Sequence, residues 1–185
     1  MCSYTGFINL NMPKHDYSQR SYIVVPYDPS WPIKFEKIRD TISPIFGDIA
    51  ESIEHVGSTS IPGMAGKPTI DILVIVKDIS AVDALNPRMA ELGYEALGEY
   101  VAPDGRLFTL EKNGDRLVNI HCFQSDHQKT RRFLSLREYL LTHPEEAKTY
   151  AEHKLDLYRR YPTDYGAYRQ AKDAYMKDLD ERAEK

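Results

Sequence analysis

The sequence predicts an α+β domain in which a mixed β-sheet is flanked by helices and a three-helix layer forms the C-terminal part. Three observations carry this. The run TIDILVIV at Thr69–Val76 is nearly continuously apolar and β-branched, as expected of a strand buried on both faces. Segments 94–100, 107–112 and 117–123 are separated by Pro103-Asp104-Gly105 and Asn113-Gly114-Asp115, which are hairpin signals. From Asp126 onward the periodicity is helical throughout.

Taken in order, residues 1–20 are polar and aperiodic and are expected as a poorly ordered lead-in to a single domain over 21–185. No basic start followed by an apolar stretch marks them as a signal peptide. Tyr22–Val25 reads as a strand-like step closed by Pro26. Ser30 is placed to cap a helix whose apolar stripe is Trp31, Phe35, Ile38, Ile42 and Phe46, with Ser43-Pro44 expected to shorten or kink it and Gly47 to end it. Ser52–Val56 and Thr69–Val76 are strands, with the Gly- and Pro-rich STSIPGMAGKP between them. A helix over 79–92 is interrupted by Asn86-Pro87. Ser125 and Gln128 suggest a capping box. Pro144-Glu145-Glu146 opens a further helix favourably for its dipole, Tyr161-Pro162 breaks it, and Asp164 begins the last.

A chain of 185 residues is long enough to bury a core without disulfides or a structural metal. It holds two cysteines, Cys2 and Cys122, too few for a disulfide framework or a zinc pattern. Cys122 reads as a small buried hydrophobe, which suits a reducing, cytoplasmic compartment. The longest apolar run, Ile72–Val76, cannot span a bilayer, so no membrane partner is expected. The net charge of −4 does not favour nucleic acid.

The chemistry concentrates in His55–Val76, HVGSTSIPGMAGKPTIDILVIV. Gly57, Ser58 and Thr59 follow one strand and can offer backbone N–H groups and hydroxyls to a phosphate. Lys67 can add charge, and Asp71 sits inside the apolar strand, where an uncompensated carboxylate would cost several kcal/mol, on the order of the burial penalty of a polar group. Ordinary turn glycines and a satisfied structural carboxylate are the plainer reading of the same residues. The helical tail adds a second signal. Lys154 lies in the stripe of Ala147, Tyr150, Ala151, Leu155 and Tyr158, and Lys172 in the stripe of Tyr165, Tyr168, Tyr175 and Leu179. A lysine on a core-facing stripe can snorkel. The repetition of Tyr-x-x-x-Lys points to a shared anionic pocket, with Arg132 or Arg137 from the preceding helix contributing.

On these residues the chain resembles the GrpB family, in which a VGSTS-(I/V)-PG segment is followed by a KP-x-ID strand and the C-terminal helices carry Tyr-x-x-x-Lys. The resemblance covers residues 22–180. It implies a fold of the polymerase-beta-like nucleotidyltransferase type, with a Gly-Ser turn and a strand bearing metal carboxylates. Gly57, Ser58 and Asp71 match that pattern and make Ser58 and Asp71 the catalytic candidates. The second carboxylate position is Leu73, and the later strand carries Asn119 and His121 with no acid after Asp115. Two of three carboxylates are thus absent. Asp71 with His121 remains as a candidate site for one Mg²⁺ or Mn²⁺ ion; a hydrogen-bonded core histidine is the competing reading, and His55 has the same ambiguity. Two functions follow. One is an enzyme-like protein acting on a nucleotide or other phosphate-bearing ligand. The other is a binding module that kept the fold and lost the chemistry. An adaptor using its Tyr-rich helices is a third.

Overall fold

The residues described by the computed structural model are 21–184. The expected lead-in over 1–20, with Cys2, lies outside them. The expected element order is observed, and most differences from expectation fall at element ends.

Helix α1 (Trp31–Phe46) buries Trp31, Ile42, Ile45 and Phe46. Ser30 makes no side-chain cap; the Asp28 carboxylate instead accepts its N–H at 2.8 Å. Pro44 does not end the helix, which continues to Phe46 before Gly47. A proline near a helix end loses one ladder bond that the last turn can spare.

Strand β1 (Ala50–Val56) pairs antiparallel with β2 (Ile70–Val76), with Val56 opposite Asp71. A 3₁₀ segment (Ile79–Leu85) and helix α2 (Asn86–Glu91) divide the interrupted helix, as Asn86-Pro87 implies. Strand β3 (Glu95–Ala96) is two residues long and borders β4 (Arg106–Lys112), which forms a hairpin with β5 (Asp115–Gln124). The sheet order is β1-β2-β5-β4-β3, and β2 with β5 is its parallel pair. That pair is parallel because the chain returns to the edge of β2 through the long α2–β3–β4 connection, which makes the sheet mixed.

The period of two along β2 divides the molecule. Ile70, Ile72, Val74 and Val76 join Trp31, Phe46, Phe108 and Ile120 in the core beneath α1. Leu73 faces the other side, with Val56, Phe123 and Phe133. Asp71, two residues before Leu73, shares that second face. The sheet thereby offers one carboxylate to the side covered by the C-terminal helices.

Those helices are α3 (Gln128–Thr142), α4 (Pro144–Arg160) and α5 (Tyr165–Ala183). The Ser125 capping box is not formed. His127 is the cap residue, its Nδ1 accepting the Lys129 N–H at 3.0 Å. β5 runs to Gln124, whose carbonyl accepts from His127 N and Thr130 Oγ1, so residues 125–127 are spent on the turn. Tyr22–Val25 is no strand beyond a single bridge, Val25 to Gly66. Its Tyr22 instead packs among Tyr158, Tyr165 and Tyr168, with ring centroids at 5.3, 5.0 and 4.9 Å. Cys122 is fully buried in the α1 core, and loss of solvent holds its thiol protonated. Among the described residues no helix is long and apolar enough to cross a membrane.

Candidate functional site

β1 ends in a turn that only glycine makes easily. Gly57 has φ 72° and ψ −171°, a region essentially reserved to glycine. A Cβ there would stand 2.7 Å from Asp71 Oδ2, so the bare Gly57 Cα lets the carboxylate lie against the turn. Asp71 is fixed from the other side by the Asn119 amide, which donates to Oδ1 at 2.7 Å. Asn119 is the parallel-register partner of Asp71 on β5, and its own Oδ1 accepts from Arg116 at 3.1 Å. Burial pushes the Asp71 pKa upward, but His121, Asn119 and Lys67 together outweigh it and hold the carboxyl below the usual carboxylate range.

After Gly57 the chain makes a single 3₁₀ turn (Ser58–Ser60). Ser58 faces α4, where Lys154 Nζ lies 2.6 Å from its Oγ. Lys154 is only 2% exposed, with Nζ 4.3 Å from the Tyr150 ring centroid, one helical turn before it. No carboxylate pairs with it among the described residues. Burial first, then the charges of Lys172 and Lys67, depress its pKa well below the ordinary lysine value. Gly66 makes this contact possible: a Cβ on it would stand 2.9 Å from Ser58 Cβ and 3.8 Å from Lys154 Nζ.

Lys154 sits at the wall of a cavity of about 270 Å³ between the Gly57-Ser58 turn and α3, α4 and α5. Gly57, Ser58, Lys67, Asp71, Arg132, Arg137, Lys154 and Lys172 all line it. The sequence candidates from four separate segments therefore converge. Lys67 donates to the Tyr165 hydroxyl at 2.6 Å. Lys172 is a quarter exposed and 3.6 Å from Asp173; burial lowers its pKa despite that neighbour. The two arginines are engaged at the rim, Arg132 with Asp180 at 2.8 Å and Arg137 with Glu54 at 3.0 Å and the His55 carbonyl at 2.9 Å.

Two candidates lie elsewhere. Thr59 is 1% exposed and turned away from the cavity; its hydroxyl meets His55 Nε2 at 2.9 Å. His121 opens to an adjoining cleft of about 230 Å³ together with Asn119 and Arg116. His121 Nε2 is 3.8 Å from Asp71 Oδ1, an ion-pair distance rather than a hydrogen bond, and its ring lies 4.9 Å from that of Phe133. Sequence reasoning missed Arg169, which lines both spaces and lies 6.0 Å from the Tyr165 ring centroid. The signal was present, because Tyr165, Arg169 and Lys172 fall at i, i+4 and i+7 on one helix face.

The residues around Asp71 do not make a two-metal cradle. Leu73 is fully buried among apolar side chains, and the group on Asp71 from β5 is a neutral amide. Among the described residues no cluster of three or more His, Cys, Asp and Glu side chains is placed to hold an ion. The arrangement is instead a predominantly cationic chamber, in which Asp71 lies against the Gly57 turn and Asp173 beside Lys172.

Comparison with known proteins agrees with this architecture. The sequence model of the family described as GrpB protein matches residues 21–182, and the chain belongs to the GrpB family. The crystal structure of a conserved GrpB protein from Enterococcus faecalis matches with a TM-score of 0.83 at 35% identity, over 87% of this chain and 96% of that one. The UPF0157 protein YqkA of Bacillus subtilis is 34% identical over 92% of this chain and 50% of its own length, so the chain spans half of that relative. The UPF0157 protein BH1888 of Halalkalibacterium halodurans is 31% identical over 88% of this chain and 83% of its own. A dephospho-CoA kinase of Mycolicibacterium paratuberculosis is 27% identical over 94% of this chain and 48% of its own length.

Proposed function

We propose that this GrpB-family chain binds a phosphate-bearing small molecule, a nucleotide or a related metabolite, in the chamber between the Gly57-Ser58 turn and α3–α5. One observation carries the reading. Lys67, Lys154 and Lys172 converge on one cavity with Arg169, and the deepest of them has no carboxylate partner among the described residues. Burial beside Lys172 and Lys67 disfavours the charged form of Lys154 until something of opposite charge joins them. A phosphate group supplies that charge, and the Ser58 hydroxyl supplies a further hydrogen bond. Apolar walls from Ile61, Leu136, Leu140 and Met176 leave room for the uncharged part of the ligand. The similarity to a stretch of a dephospho-CoA kinase supports a phosphate-bearing ligand only loosely, since fold and sequence likeness do not fix activity. A cytoplasmic setting, where such metabolites are abundant, fits the reading.

The test is a thermal-shift series on the whole chain with pyrophosphate and nucleoside triphosphates, with Mg²⁺, with Mn²⁺ and with EDTA. At about 100 times Kd a ligand that binds only the folded state stabilises it by about 2.7 kcal/mol. The stabilisation is expected to persist in EDTA and to disappear in a Lys67→Met/Lys172→Met double variant. Absence of any shift with every phosphate compound would end the proposal. A shift that needs Mg²⁺ or Mn²⁺ and is lost in Asp71→Ala would instead give Asp71 a cation and favour the enzyme-like reading.

A further inference from the structure

The geometry points to Ser58 and Lys154 as a serine–lysine dyad, in which Ser58 is a nucleophile toward phosphoanhydrides and Lys154 its general base. This rests on the anion chamber above but asks more of it: a reaction rather than a resting place.

The case begins with the contact. Ser58 Oγ and Lys154 Nζ are 2.6 Å apart, at the short end of hydrogen-bond distances and within reach for proton transfer. The pair is held from several sides. Ser58 is fixed by the 3₁₀ turn after Gly57, where Ser60 N donates back to the Gly57 carbonyl at 3.1 Å. Lys154 emerges from the middle of α4 with its stem buried and its amine over the Tyr150 ring. The absence of a side chain at Gly66 leaves the space in which the two groups meet. A lysine used merely as a surface charge needs none of this.

The electrostatics then favour a base over a cation. No carboxylate offsets Lys154, while Lys172 and Lys67 repel its proton, and burial strips its water. The same neighbours stabilise negative charge as it builds on an attacked phosphoryl group. An arriving polyanion raises the proton affinity of Lys154, and the nearest proton is that of Ser58. Ligand binding and activation of the serine are thereby one event. Serine–lysine pairs are an established variant of nucleophile and base.

The step balances as follows. The Ser58 Oγ lone pair forms a bond to the terminal phosphorus of a phosphoanhydride, and the Oγ proton passes to Lys154 Nζ. The P–O bond to the leaving phosphate breaks with its electron pair, and the Lys154 ammonium returns the proton to that oxygen. The products are phosphorylated Ser58 and the shortened phosphate.

A small alkyl fluorophosphonate tests this without knowledge of the natural substrate, because it reports an activated serine by losing fluoride to it. Wild-type chain, folded and at neutral pH, is expected to take up one adduct, mapped to Ser58 by peptide mass spectrometry. Ser58→Ala should abolish labelling, and Lys154→Arg, which is permanently charged and cannot accept the proton, should slow it by about 100-fold or more. Pyrophosphate should protect against the label. An unlabelled wild type, or labelling equal in Lys154→Arg, would overturn the dyad. The wild-type result decides even if the arginine variant fails to fold, which circular dichroism would show. Persistence of the pyrophosphate thermal shift in unlabelled wild type would sink the dyad alone and leave the anion site standing. Labelling at Ser58 with no pyrophosphate shift would keep the activated serine and overturn its phosphoanhydride substrate together with the anion site.

Discussion

At the scale of the residue, the site depends on what is missing from Gly57. Alanine there must adopt a backbone region worth about 1–3 kcal/mol of strain, and its methyl must displace Asp71 Oδ2. Gly57→Ala is therefore expected to lower the unfolding free energy from urea melts by about 1–3 kcal/mol and to weaken the pyrophosphate thermal shift. A variant of unchanged stability would show that the turn is not held as described. His55, two residues earlier, gives a pH signature. Its ring stacks on Phe35 at 4.7 Å and bonds Thr59. Burial chiefly, and then Arg137, lowers its pKa to about 4 against an opposing pull from Asp71. Below pH 4 both folded and unfolded chains carry the proton and the penalty is complete. Between about 4 and 6.5 the unfolded chain binds a proton that the folded chain refuses, so stability rises with pH; above about 6.5 the term is flat. Across this window the effect is on the order of 1–2 kcal/mol after solvent screening. Urea melts from pH 4 to 7 should show a shallower slope in His55→Gln than in wild type. Equal slopes would remove His55 as the source.

At the scale of the element, helix α5 shows how a terminus can tune a site within the same helix. Asp164 caps it, its carboxylate accepting the Ala167 N–H at 2.8 Å. Tyr165, Arg169 and Lys172 all follow within the first turns. Asp164→Ala is expected to cost about 1 kcal/mol of stability. It should also loosen the Lys67–Tyr165 contact enough to weaken pyrophosphate binding severalfold by calorimetry. Loss of stability with unchanged affinity would mean that α5 is positioned by its packing alone. The elements themselves were legible because period and length agree: TIDILVIV is a buried strand in both sequence and structure, and the Tyr-x-x-x-Lys stripes are core-facing. The helix starts were less so. Ser30 and Ser125 have capping chemistry, but Ser30 makes no side-chain cap and His127 caps α3, because the chain arrives from the Asp28 turn on one side and from the end of β5 on the other. Such choices are set by the preceding element's direction, which spacing does not encode.

At the scale of the whole molecule, the chamber lies on the seam between the sheet face away from α1 and the C-terminal helices. Phe133 reaches it from the cluster on that face, Ile61, Leu140 and Met176 from the core that joins the Ile61–Ala65 loop to α3, α4 and α5, and Tyr165 and Tyr168 from the tyrosine cluster around Tyr22. Lys154 and Lys172 stood out in the sequence because each breaks its own helix's polarity. Their mutual approach was not, since it depends on how α4 and α5 dock on the Gly57–Lys67 segment. For the same reason the burial of Thr59 against His55, the Asn119 clasp on Asp71 and the place of Arg169 emerged only in three dimensions. A ligand on a seam should tie its sides together. Hydrogen exchange with and without pyrophosphate is therefore expected to slow at residues 57–67 and along the facing parts of α4 and α5. The limit is about 100-fold at about 100 times Kd for openings that release the ligand. The β3–β4–β5 hairpin end should be unaffected, because it packs against α1 and α2 and supplies no lysine to the chamber. Protection confined to that end would relocate the binding site to the other face of the sheet. Protection of the seam alone would show that the anion joins the C-terminal layer to the sheet, which makes the ligand part of what holds the helical tail in register with the Gly57-Ser58 turn.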